Sequence, residues 1–159
     1  MLWPQHVVKK LVGVVDGQPL RYVLGRGNAQ TNFKRFKIAP GDMLMPIHID
    51  AGRICPIARM SVVYKGTASS WNLSLAAGGE RLPVDSEWIQ VLVGVHGTAQ
   101  HFHRPLPADL VRELRYDGAK GPRELAIDDD GKLAQHTGVD GVFRLMPESA
   151  DELISLSWI

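Results

Sequence analysis

Between residues 25 and 37 the chain carries Arg26, Asn28, Asn32, Phe33, Lys34, Arg35, Phe36 and Lys37, with no acidic side chain among them. Such a segment is either a solvated turn or a surface that grips an anion with flat rings nearby. The wider charge pattern bears on the choice. From Gly17 to Gly41 there is no Asp or Glu, and Arg21 joins the cations just named. Trp88 to Ala108 is also free of acids and carries His96, His101, His103 and Arg104. Acids collect instead at 128–130 and 148–152. Formal net charge is only +1, so a bulk grip on nucleic acid is not implied and any basic surface is local. Two cationic tracts interleaved with Phe33, Phe36 and Phe102 are either ordinary solvated faces or a ligand-binding surface.

Other chemistries find less support. His101 and His103 form an H-x-H pair that a strand would present on one face, as metal ligation requires. A third ligand would have to be His48 or His96, which local spacing does not bring near, and no cysteine or carboxylate cluster accompanies them. The expectation is no metal and no cofactor. No serine stands in a G-x-S-x-G elbow, and Cys55 lies between Ile54 and Pro56 rather than at a helix start. Cys55 is expected to be a small buried hydrophobe in a reducing compartment. Asp42 or Asp50 with His48 would make a general-base pair, but Asp42 follows Pro40-Gly41 and reads better as an Asx-turn entering a strand. "GRGNAQTNF" lacks the third glycine and the lysine-serine of a phosphate loop.

These residues must be held by short elements. The 159 residues suit a single domain, 1–159, and 45 % apolar residues suffice for one core. Sixteen glycines and ten prolines favour strands and turns over long helices. "VVKKLVGVV" (7–15) and "LRYVLG" (20–25) read as strands about a tip at Asp16-Gly17. "GDMLMPIHID" and "RICPIARMSVVY" read as an antiparallel pair turning at Ala51-Gly52, with Pro46 and Pro56 forcing an edge or a bulge. "WIQVLVGV" (88–95) is the strongest core strand. "PLPADLVRELRYDG" predicts a helix with Pro107 in its first turn, Arg112 and Arg115 late, and Gly118 beyond its end. "PESADELISL" predicts another, with Pro147 first and Glu148, Asp151 and Glu152 at the positive end of the dipole. "ASSWNLSLAA" (68–77) is a further helical candidate. Residues 117–140 read as polar and glycine-rich, with "DDDG" as a turn. The sum is an α+β domain: a curved antiparallel sheet closed into a small barrel, with two or three short helices on its rim. "MLWPQHVVKK" has no long apolar stretch and no run approaches a membrane span, so a soluble cytoplasmic protein is expected.

The order of these motifs resembles the EVE domains of the PUA-like superfamily. That family runs arginine-asparagine-x-glutamine-alanine-arginine-asparagine, a short basic-apolar turn, glycine-aspartate, a strand and a tyrosine-histidine. Here Asn28 and Asn32 bracket the first part, Gly41-Asp42 the second, and His48 stands six after the aspartate. "GRICPIARMSVV", "WIQVLVGV", "RPLPADLVREL" and "GVFRLMPESADEL" are similar to the strands and helices that follow, so the likeness covers about residues 20–154. The chain departs from the family at Ile47, where an aromatic precedes the histidine, at Val23, and in its added N-terminal strand. The resemblance implies a pseudo-barrel that binds DNA or RNA without catalysis, in a branch containing readers of modified bases flipped into a pocket. On that reading Arg26, Lys34, Arg35 and Lys37 meet phosphates, and Asn28 and Asn32 offer a donor and an acceptor to a base edge. Phe33, Trp71 and Trp88 are candidates for a stacking wall, and His48, His101 and His103 complete the set. Two alternatives stand beside it. One is an enzyme similar to the neighbouring ASCH branch, using His48, Asp42 and Lys34; the other is a protein-interaction module of the immunity or antitoxin type.

Overall fold

The computed structural model describes residues 22–25, 37–67, 69, 70, 72, 90–99, 104–118, 120–134 and 143–156. Its strands are β1 (Tyr22–Gly25), β2 (Met43–Leu44), β3 (Ile47–Asp50), β4 (Arg53–Pro56), β5 (Ala58–Gly66), β6 (Gln90–Ala99), β7 (Arg115–Gly118) and β8 (Gly121–Glu124). Helices α1 (Ala108–Glu113) and α2 (Pro147–Ser155) follow β6 and β8 respectively. The expected α+β class is observed. The strands form a four-stranded antiparallel sheet in the order β1-β6-β5-β2 and the pairs β3-β4 and β7-β8. Among the described residues these sheets do not close into a barrel. The expected strand at 7–15 and the tip at Asp16-Gly17 lie outside the described residues.

The pair expected around Ala51-Gly52 is one long, bent hairpin. Ala51 and Gly52 both take positive φ, 46° and 83°, which is the two-residue turn whose twist matches the flanking strands. Ile47 faces Pro56 and Asp50 faces Arg53, then Met43 and Leu44 pair with Ser61 and Met60. Between the two ladders lies the break that the prolines impose. Neither Pro46 nor Pro56 has a backbone donor, and one bond, Ile57 N–H to Pro46 O at 2.9 Å, carries the hairpin across. Pairing resumes at Leu44 with Met60 and runs on to Val62, whose N–H donates to Asp42 O while its carbonyl accepts from Gly41. The hairpin thus leaves one sheet and enters another without changing partner.

The Gln90–Val95 part of "WIQVLVGV" is strand, as expected, but β6 runs on to Ala99; Trp88 and Ile89 lie outside the described residues, and β6 lies between β1 and β5. Its pairing with β5 is interrupted between Arg59 and Ser61 and between Val62 and Tyr64, and such bulges sharpen a sheet's twist. Val23, Leu44, Met60 and Val62 are buried on its inner face. A second apolar cluster packs the β3-β4 hairpin against the helices through Ile54, Leu106, Leu110, Val111, Leu114 and Leu153. The link is a backbone bond from Leu106 N–H to Ile54 O.

Helix α1 is shorter than its sequence predicts. It ends at Glu113, Leu114 is already extended, and "RYDG" is strand β7 rather than the helix's last turn. The cause is competition for backbone donors. Arg115 N–H donates to the buried Ser149 Oγ at 2.8 Å instead of continuing the helix, and β7 then finds partners on both sides. It pairs with β8 on one flank, while Asp117 and Met146 exchange bonds with Arg144 and Arg115 on the other. Arg115 also turns its guanidinium back onto the Arg112 and Leu114 carbonyls, covering the helix end. The β7-β8 hairpin opens the polar, glycine-rich stretch read at 117–140, and within that stretch Asp128–Gly131 forms the expected turn. It is closed by Asp128 Oδ1 accepting from Lys132 and pinned by Arg112 on the Asp128 and Asp129 carbonyls. Helix α2 stands as expected from Pro147. It has no basic residue in its last turn, and Arg59 of β5 reaches the Ile154 carbonyl instead. Among the described residues no helix is long and apolar enough to cross a membrane.

Candidate nucleic-acid interface

Most of the twelve candidate residues lie outside the described residues: Arg26, Asn28, Asn32, Phe33, Lys34, Arg35, Trp71, Trp88, His101 and His103. Lys37 and His48 lie within them. What the structure does give is the set of anchors from which the other segments leave. β1 ends with Gly25 beside Gln90, the first residue of β6. β5 ends with Gly66 beside Val91. Three strand ends, leading on to Arg26, towards Trp71 and back towards Trp88, therefore meet at one end of the sheet.

The return of the basic loop is anchored at the same end. Lys65, next to the end of β5, donates from Nζ to the Ile38 carbonyl at 2.7 Å. Ile38 is buried, whereas Lys37 beside it is exposed and held at φ 53°. A non-glycine residue in this left-handed region is uncommon and marks a tightly determined turn. Asp42 closes the next turn by accepting the Ala39 N–H at 2.9 Å, and it pairs with Arg144 at 3.6 Å. This is the bracing role expected of Asp42, made to the third residue back rather than as a forward Asx-turn.

The segment after β5 begins as a capped helical turn. Thr67 Oγ1 accepts the Ser70 N–H at 3.0 Å, the geometry of an N-cap, and Ser69, Ser70 and Asn72 are helical. The rest of the helix expected at 68–77 lies outside the described residues.

Two histidine sets stand apart from this end. β6 has ten residues, about 30 Å at the usual rise of about 3.3 Å each, and it ends at Ala99 beside Ala58. The chain thus leaves towards His101 and His103 from the opposite end of the sheet. His48 is in β3, buried, and faces Cys55 across the ladder. Among the described residues no three His, Cys, Asp or Glu side chains gather as metal ligands do.

Cys55 is 1 % exposed, the buried hydrophobe that its apolar neighbours imply. Burial, with the Asp50 carboxylate nearby, pushes its thiol from 9.0 up to about 11. A thiol whose folded pKa lies above its unfolded value contributes full stability below pH 9 and loses it as pH rises towards 11. Unfolding titrations should show about 1 kcal/mol lost by pH 10 relative to pH 8, and Cys55→Ala should remove that slope. An unchanged slope in the variant would assign the alkaline loss to another group.

Sequence reading missed Tyr64 and Lys65, which share the sheet end with the anchors above. The available signal was position: both stand just before Gly66, where "VVYKG" meets "TASS". A separate open hollow of about 360 Å³ is lined by Glu113, Arg115, Pro122, Met146, Glu148, Ser149 and Glu152. Its three glutamates, Glu113, Glu148 and Glu152, make it unsuited to a phosphate. Compared with protein-family models, with curated proteins and with solved structures, the chain finds no match.

Proposed function

We propose that this chain is a non-enzymatic nucleic-acid-binding domain of PUA-like, EVE-like build, which takes a modified base of DNA or RNA into a pocket at the Gly25–Gln90 end of its sheet. One observation carries the reading. The two acid-free tracts of the sequence are hydrogen-bonded to one another as β1 and β6; at that end the first runs on into its cations, and the second begins at Trp88, two residues before Gln90. The loop bearing Arg26, Asn28, Asn32, Phe33, Lys34 and Arg35 starts at Gly25 and returns at Lys37, whose neighbour Ile38 is held by Lys65. Trp88 is two residues before Gln90, and Trp71 is five after Gly66. Chain connectivity limits such separations to about 3.6 Å per residue, so cations, amides and rings have a common origin here. Phosphate contacts would position the strand and the amides would read the base. The role of Asp42 in bracing its turn weighs against the general-base alternative.

The test is ionic strength. Binding to oligonucleotides should weaken steeply with salt, whereas association through an apolar patch should not. Lys34→Ala and Arg35→Ala should each weaken every oligonucleotide about equally and lower the salt slope by about one unit for each phosphate left unneutralised. Unchanged affinity and slope in both variants would remove this tract from the binding surface.

A further inference from the structure

We infer that the β7-β8 hairpin is a second contact with the nucleic acid, in which Arg123 and Lys120 hold backbone phosphates away from the base pocket. The inference rests on the function proposed above and names a further binding surface within it.

Register sorts the hairpin's charges by face. Arg115 faces Glu124 and Asp117 faces Pro122, so these residues share one side. That side is the acidic one. Arg115 is paired with Glu124 at 3.0 Å, Asp117 is exposed, and Arg115 and Pro122 line the hollow with its three glutamates. The other side carries Tyr116 facing Arg123 and Gly118 facing Gly121, with Leu145 of the neighbouring segment opposite Tyr116. None of these is a carboxylate. At its root this side is fixed: Leu145 packs against the second apolar cluster, and Tyr116 meets Phe143 edge-on with ring centroids 5.1 Å apart. Towards the tip it opens, and Arg123 and Lys120 are both exposed.

Gly118 gives Arg123 its direction. A Cβ on Gly118 would stand 2.7 Å from Cδ and 2.8 Å from Cγ of Arg123, so the arginine stem lies across the bare backbone of Gly118 towards the tip. Lys120 is three residues from Arg123, at most about 10 Å along the chain. That is about one Debye length at 0.1 M salt, so the two charges act on a polyanion together.

Among the described residues, the Lys and Arg side chains with no hydrogen bond or ion pair are Lys37, Arg53, Lys120 and Arg123. All but Arg53 belong to one neighbourhood. Lys37 ends the basic loop, and Asp42 ties the turn after it to the flank of the hairpin. Its carboxylate accepts the Ala39 N–H and pairs with Arg144, whose carbonyl accepts the Asp117 N–H. Unengaged cations meet an anion without first giving up an internal partner. Their spread from Lys37 to the hairpin tip suits a chain of repeating charges, which a phosphate backbone supplies.

The experiment uses the full chain and labelled single strands of about twenty nucleotides, longer than one site of usual size, titrated at several salt concentrations. Arg123→Ala and Lys120→Ala should each lower the slope of log affinity against log salt by about 0.7, the share of one phosphate on a single strand. The affinity lost between about 50 and 200 mM salt should then be about threefold smaller than in the parent. Oligothymidylate and oligoadenylate should respond alike, because phosphates carry no sequence. Arg123→Lys should keep the parent's slope. Arg53→Ala removes an equally unengaged cation from β4 and should leave the slope unchanged, which separates a contact from a change in net charge. Circular dichroism melts establish that each variant is folded. If both hairpin alanine variants keep the parent's slope, or Arg53→Ala lowers it as much as they do, the hairpin assignment is overturned. Loss of binding to polyglutamate but not to oligonucleotides would give the hairpin to an acidic protein segment and also overturn it. In either case a slope still lowered by Lys34→Ala or Arg35→Ala leaves the proposed function standing. If the parent binds no oligonucleotide at all, both readings fall together.

Discussion

Valine in place of Gly94 lowers the stability of the domain by about 3 kcal/mol, the upper end of what overpacking costs. Gly94 is buried in β6 opposite Val62, in the middle of the four-stranded sheet. A Cβ there would stand 2.8 Å from both Cγ and Sδ of Met60 and 2.8 Å from the Ser61 carbonyl oxygen. Met60 is flexible in principle, but at 0 % exposure it has no open space to move into. The Ser61 oxygen belongs to the backbone of a paired strand, where a shift disturbs the adjoining ladder. Alanine should therefore already cost about 1–2 kcal/mol, and valine adds two methyl groups to the same conflict. For a chain of this length about 3 kcal/mol corresponds to roughly 6–12 °C in melting temperature. Denaturant titration of the two variants and of Met60→Ala checks the mechanism. Met60→Ala alone should cost about 2–5 kcal/mol as a cavity, yet combined with Gly94→Ala it should cost less than the sum, because the cavity receives the new methyl. Strict additivity would mean that the backbone clash, not Met60, sets the limit.

That Gly94 sits against Met60 is not legible in "WIQVLVGV", although the strand itself is. The same division runs through the fold. Alternation, turn residues and prolines act locally, and they identify the Ala51-Gly52 hairpin, its break at Pro46 and Pro56, and the start of α2 at Pro147. Where two local preferences compete, a distant partner decides. "RELRYDG" has helical spacing, but Ser149 Oγ takes the Arg115 N–H from 34 positions away and the segment becomes a strand. The candidate site divides in the same way. Charge tracts are visible in one dimension, so the two acid-free stretches stand out. That they pair with each other depends on the register Gly25 to Gln90, which only the folded sheet supplies. His101 and His103 share their tract with Trp88 in sequence, yet the length of β6 separates the two ends in space.

Asn28 and Asn32 should discriminate among bases while the neighbouring cations do not. An amide presents a donor and an acceptor in fixed geometry, whereas an ammonium offers no acceptor and little direction. Removing one amide from a desolvated pocket should cost roughly 1–3 kcal/mol for the preferred base and little for the others. That is a loss of selectivity, distinct from the uniform weakening expected of Lys34→Ala and Arg35→Ala. A competing account has physical grounds too. Asparagine often supports a turn through a left-handed backbone or a side-chain cap, and Lys37 shows that the return of this loop does use a left-handed residue. If the asparagines only hold the turn, each alanine variant would lower thermal stability and weaken all ligands alike. The two accounts separate when melting temperature and affinity are measured together for Asn28→Ala and Asn32→Ala, against a panel of plain and modified oligonucleotides. Selective loss for one base at an unchanged melting temperature assigns the amides to the base edge. Uniform loss that tracks the fall in melting temperature assigns them to the scaffold, and base recognition must then come from the rings and from groups elsewhere at the sheet end.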